Sequence, residues 1–166
     1  MSRYSPTGTD IAAVRTLLGR SPAGSFLVLL RRPDGSPALI ENAPHLEDGT
    51  PMPTLYWLVD PSLREQVSRI ESEGGVHRYE LEVDPSALDA AHSEYRALRE
   101  SRVVSPELPQ PSGGVGGTRR GVKCLHAHLA AYLGGIDDPV GALVASQVEL
   151  GELLAEGESV EWKVAR

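Results

Sequence analysis

Aspartate is followed directly by proline at three places, residues 60–61, 84–85 and 138–139, and this pairing constrains the fold more than any other feature. A capping aspartate accepts from the free amides of a first helical turn, and proline there lacks only an N–H that has no intrahelical partner. Each pair therefore predicts a helix start. Leu63, Val67 and Ile70 give the first of these helices an inner face, and Gly74 and Gly75 close it. The second carries the stripe Leu88, Ala91, Tyr95 and Leu98 and runs to about Arg102.

The intervening segments read mostly as strands. The apolar run at 25–31 is short enough for a buried strand, and Pro33-Asp34-Gly35 then turns the chain into a second strand at 38–41, a hairpin. Residues 54–59 make a third strand. Tyr79, Leu81 and Val83 alternate with Arg78, Glu80 and Glu82, the period of a half-buried strand. Val160, Trp162 and Val164 alternate in the same way near the end of the chain. Near the start, Asp10 is placed to cap a short helix whose Ile11, Val14, Leu17 and Leu18 share a face, ended by Gly19. The expected class is α+β, one globular domain over residues 1–166, with packed helices on a mixed or antiparallel sheet of about five strands.

Composition narrows the function. Among 166 residues the net charge is −7, and a phosphate backbone selects a basic face, so nucleic acid is not an expected partner. The single cysteine excludes an internal disulfide and an all-cysteine metal cluster within one chain. The first ten residues, MSRYSPTGTD, hold no apolar signal region and no run approaches a membrane span, so a cytoplasmic protein without a membrane partner is expected. Homo-oligomer formation is left open.

The chemistry-bearing residues concentrate in 113–128, GGVGGTRRGVKCLHAH. This segment closes a Gly/Pro-rich loop at 103–121, and long irregular loops commonly serve function or stay mobile. Gly116, Gly117, Arg119, Arg120 and Lys123 combine backbone donors with positive charge ahead of a helix expected at 122–133, a combination suited to a small anion. No Walker-type spacing accompanies it. Cys124, His126 and His128 follow as candidate catalytic residues, and His92 joins them if its helix packs alongside. If 122–133 is one regular helix, Cys124 and His128 share a side while His126 turns away, toward the sheet or His92. Cys124 in a first helical turn with His128 one turn on could form a nucleophile and base. The plainer alternatives are a buried packing cysteine and a solvated glycine loop. His92, Tyr95, Arg96 and Arg99 share one helical face, for which a salt-bridged surface is the plainer reading. Glu41, Glu47 and Asp48 are candidate carboxylates, whereas Asp60 and Asp138 read as caps.

GTPMPTLYWLVDP, GGVGG, GVKCLHAH and DPVG, in this order, resemble the bacterial domain-of-unknown-function family 501. The resemblance extends from LLGRSP to DPVG and implies a small soluble bacterial protein without implying an activity. It also implies cysteine at the positions of Arg32 and Asp60, just before Pro33 and Pro61, so any thiolate-rich family site is altered here.

These readings converge on a pocket for a small anionic molecule, with a small-molecule enzyme ahead of a binding protein. A structural or adaptor protein is one alternative, and a zinc-dependent hydrolase using Cys124, His126 and His128 is another. Zinc is not favoured, because one helix cannot turn all three side chains to one ion and completion would need carboxylates or a second protomer. The purified protein is expected to be largely metal-free.

Overall fold

The computed structural model describes residues 3–155 and 158–160. Helix α1 (Gly8–Leu18) leads into strands β1 (Phe26–Arg31), β2 (Pro37–Asn42) and β3 (Tyr56–Leu58). Helices α2 (Pro61–Ser72), α3 (Gly75–Glu82), α4 (Pro85–Ser101), α5 (Leu125–Leu133) and α6 (Pro139–Gln147) follow, then β4 (Leu153–Ala155) and β5 (Glu158–Val160). The strands form one antiparallel sheet in the order β3-β2-β1-β4-β5. The class is therefore α+β. Among the described residues no helix is long and apolar enough to cross a membrane.

The three Asp-Pro pairs act as helix starts. The carboxylates of Asp60, Asp84 and Asp138 accept from the amides of Leu63, Ser86 and Gly141. At α1 the cap is Thr7 and not Asp10: Thr7 Oγ1 accepts from the Asp10 amide, which frees the Asp10 carboxylate to take two hydrogen bonds from Arg31. Side-chain hydroxyl caps suit this position as well as carboxylates do.

Residues 79–82 are helical, not a strand, and Val83 is the C-cap of α3. Gly75, Tyr79 and Val83 are buried while Leu81 is among the most exposed hydrophobic residues, so the burial period is four rather than two. The alternation of charged and apolar residues in 78–83 fits both periods, and packing of Tyr79 and Val83 into the main core decides between them. The terminal alternation at Val160, Trp162 and Val164 reaches β5 only through Val160; Trp162 and Val164 lie outside the described residues.

Every residue of β2 is buried, because the sheet is covered on both faces. Ile40 joins Val14 of α1, Phe26, Val28 and Val59 on one side. Leu39 joins the larger core on the other side, built with Leu63, Val67, Leu125, Leu129 and Val144. Burying both faces is what makes the sheet strands read as near-continuous apolar runs.

The α4 face read as a salt-bridged surface instead organises loops. Tyr95 Oη accepts from the Leu55 amide at 2.6 Å. The fully buried Arg99 donates to the carbonyls of Pro53, Pro111 and Gly113. Arg99 thus satisfies carbonyls of two irregular segments that no secondary structure reaches.

Candidate functional site

Helix α5 begins later than the residue pattern suggests. Cys124 is its N-cap, in extended conformation with φ −151° and ψ 123°, and makes no side-chain cap. The missing cap comes from another helix: Glu71 of α2 accepts from the Leu125 amide at 2.7 Å through Oε1. A helix starts where its first free amides find acceptors. Here a carboxylate from α2 sets that point.

This boundary rearranges the expected site. The Cys124 carbonyl still accepts from the His128 amide at 3.3 Å, but as an extended cap Cys124 does not join the helical face, and its Sγ lies 3.7 Å from His126 Nδ1. His126 and His128 are both within α5, two residues and about 200° apart, and face opposite neighbours. His126 packs on α2. His128 is fully buried, its Nδ1 2.7 Å from Asp138 Oδ2, and its ring stacks edge-on against His92 at 5.8 Å. The contact expected between His92 and His126 is replaced by this one.

His92 is committed to the backbone of the glycine loop. The Val115 amide donates to its Nδ1 at 3.0 Å, so its Nε2 carries the proton given to the Gly121 carbonyl at 2.9 Å. Both ring nitrogens are used structurally. Gly114 is glycine for the same reason, since a Cβ there would meet His92 Nδ1 at 2.5 Å.

The environment of His126 is built by α2. Its Nε2 is 3.1 Å from the Arg64 carbonyl and 3.1 Å from Ser68 Oγ, whose own hydroxyl is spent on that carbonyl. Nε2 therefore carries a proton, and Nδ1 faces both Cys124 Sγ and Glu71 Oε1, the latter at 3.2 Å, where a second proton is favoured. The hydrogen bond with Cys124, the Arg64 carbonyl and the Glu71 charge together push His126 up to about 9 against the opposing effect of burial. Cys124, His126 and a carboxylate oxygen of Glu71 form one cluster, their ligating atoms all within 4.8 Å of one another.

Glu71 was not among the carboxylates expected from the sequence. Of those, Glu41 is buried in ion pairs with Arg3 and Arg102, and Glu47 and Asp48 line a different cavity beside Leu108, while Asp60 and Asp138 are the caps they read as. The signal for Glu71 is present but faint. Arg64, Ser68 and Glu71 follow the i, i+4, i+7 spacing one residue beyond the apolar Leu63, Val67 and Ile70.

Cys124 and His126 line a cavity of about 660 Å³. It lies between the end of α1, strand β3, helix α2 and the start of α5. Tyr56, Trp57 and Leu58 supply apolar wall, and Arg20, Arg64 and Lys123 supply cations against the single acid Glu65. The Arg20 guanidinium stacks 5.3 Å above the Trp57 ring. From the loop, Gly116 reaches the wall with φ +68°, a conformation that favours glycine. Gly117, Arg119 and Arg120 are exposed and do not line the cavity. The basic loop thus contributes through Lys123 and Gly116 alone.

Arg32 and Asp60, at the positions where the resemblance implies cysteine, pair with each other. Arg32 Nε and Nη2 donate to the two Asp60 oxygens at 2.7 and 2.9 Å. The ion pair ties the end of β1 to the start of α2, and neither residue belongs to the Cys124 cluster.

A protein-family model described as a protein of unknown function, DUF501, matches residues 28–146. No curated protein and no solved structure matches the chain.

Proposed function

This chain belongs to the DUF501 family, whose description assigns no activity, and we propose that it is a small-molecule enzyme acting on an anionic substrate. The substrate lies in the cavity beside β3, with its reacting end at Cys124 and His126. The observation that carries this reading is the cysteine–imidazole contact of 3.7 Å opening into a cavity of about 660 Å³. That volume lies within the range that accepts small molecules.

The division of labour follows from the wall chemistry. Tyr56, Trp57 and Leu58 offer contact to an apolar or planar portion of the substrate. Lys123 and Arg20 offer positive charge to a phosphate or carboxylate, and Arg64 adds the guanidinium hydrogens left after one bond to the Leu17 carbonyl. The Arg64 carbonyl accepts from His126 Nε2 and fixes the ring, so its Nδ1 is presented to the site in a constant direction. Packing alone does not require this arrangement: an adaptor needs no polarised imidazole beside its only thiol.

A thermal-shift panel of phosphorylated and carboxylated metabolites tests the reading, because a ligand that binds only the native state raises apparent stability. A responding compound is expected to lose most of its effect with Lys123→Ala and to keep it with the double variant Arg119→Ala/Arg120→Ala. Its conversion is expected to stop with His126→Ala. Equal shifts in the Lys123 variant and in wild type would remove the cavity from the account and leave the adaptor class.

A further inference from the structure

We propose that Glu71, Cys124 and His126 bind a divalent transition metal of the zinc class, with the open coordination position directed into the cavity. The inference rests on the cavity being the reaction site, and it gives Cys124 and His126 a definite role there as metal ligands, in place of a nucleophile and its base.

The donor set fits. Thiolate, imidazole and carboxylate are the three donor types zinc takes, and a site with three protein ligands and one free position is the catalytic form. The spacing also fits. A tetrahedral ion with bond lengths of about 2.3 Å to sulfur, about 2.05 Å to nitrogen and about 2.1 Å to oxygen holds its sulfur about 3.6 Å from its nitrogen and that nitrogen about 3.4 Å from its oxygen. Here Cys124 Sγ is 3.7 Å from His126 Nδ1, which is 3.2 Å from Glu71 Oε1. These two distances match within a few tenths of an ångström, and the third, from sulfur to the carboxylate oxygen, lies within 4.8 Å, against about 3.6 Å around such an ion.

The outer partners are those a metal site uses. A ligating histidine usually donates its other N–H to a carbonyl or carboxylate, which fixes the ring. His126 Nε2 does so to the Arg64 carbonyl at 3.1 Å. A ligating carboxylate is likewise hydrogen-bonded, and Glu71 accepts from the Leu125 amide. The ligands come from two elements, α2 and the start of α5, that the core packs together. Two of them, Cys124 and His126, line the cavity, so a fourth position opens toward a bound anion. Metal there would polarise an oxygen of that anion. The sequence disfavours zinc because one helix cannot turn Cys124, His126 and His128 to one ion, and Glu71, 53 residues upstream of Cys124, takes the place of His128 as the third donor.

The test uses the full chain, untagged and stripped by chelator, titrated with Co²⁺. One cobalt per chain is expected, with a sulfur-to-cobalt charge-transfer absorption that zinc removes. Cys124→Ser should abolish the band. Glu71→Gln, which keeps an acceptor for the Leu125 amide, should weaken binding by at least the roughly tenfold that loss of even an outer partner brings. Both variants should retain the wild-type urea midpoint in chelator, which separates ligand loss from unfolding. Lys123→Ala should bind cobalt normally. Absence of the band in folded wild type, or equal cobalt uptake by wild type and Cys124→Ser, overturns the metal site. If anions still stabilise the stripped protein in that case, only the metal is lost and the cavity reading stands.

Discussion

His128 Nδ1 and Asp138 Oδ2 lie 2.7 Å apart, and neither side chain is exposed. Asp138 does two things at once, because its other oxygen caps α6 at the Gly141 amide. The pair therefore fixes the start of α6 against the middle of α5. Asp138→Ala removes a cap, worth about 1 kcal/mol, and leaves a buried imidazole without its partner, worth about 1–3 kcal/mol. A loss of about 2–4 kcal/mol is expected in urea unfolding. Asp138→Asn, which can still cap, should lose less. Equal losses for the two variants would show that the cap is not part of the effect.

Gly114 reports on what the glycine loop is for. Its φ of −98° is open to any residue, but a Cβ would stand 2.5 Å from His92 Nδ1 and 2.7 Å from His92 Cβ. Gly114→Ala is expected to cost about 1–3 kcal/mol, as overpacking of a filled interior does. Anion binding by Lys123 should survive in the folded fraction. An alanine variant as stable as wild type would mean that His92 does not hold the loop.

The parts of the fold that were legible from sequence are those set by local chemistry. Asp60-Pro61, Asp84-Pro85 and Asp138-Pro139 each cap and start a helix through their own side chains. The hairpin at β1 and β2 follows from its own turn residues. Residues 79–83 were misread because charged and apolar residues alternate there while only Gly75, Tyr79 and Val83 are drawn into the interior. The site was misread for a related reason. The start of α5 is set by Glu71, far upstream, and moving it to Leu125 exchanges His128 for His126 as the neighbour of Cys124. Arg119 and Arg120 looked equivalent to Lys123 in sequence, yet only Lys123 is placed on the cavity wall. Local patterns locate caps and turns, whereas a contact between α2 and α5 has no local signature.

Acid should weaken the attachment of α1. Two hydrogen bonds from Arg31 hold the Asp10 carboxyl below the usual aspartate range, with burial opposing them. A carboxyl lowered in the folded state gives its full stabilisation above the ordinary value near about 4 and loses it as pH falls through the lowered one. Asp10→Asn is expected to be less stable than wild type at neutral pH by about 1 kcal/mol, the upper end for a pair still partly open to solvent. The difference should shrink toward zero as the pH falls below the aspartate range. A gap that does not change with pH would assign the effect to shape and not to charge.

The most direct test of the cavity is the chemistry of its thiol. Cys124 is the only cysteine, so a single adduct by mass spectrometry reports on it alone. In stripped protein at low salt, the rate of alkylation by iodoacetate relative to neutral iodoacetamide should exceed that of free cysteine. For scale, one unit charge acting in water over about 7 Å contributes about 0.6 kcal/mol, which sets the expected rise in the ratio at about threefold. Lys123→Ala should lower the ratio, and salt should screen it. A ratio equal to that of free cysteine and unmoved by Lys123→Ala would contradict an anion-seeking cavity at Cys124.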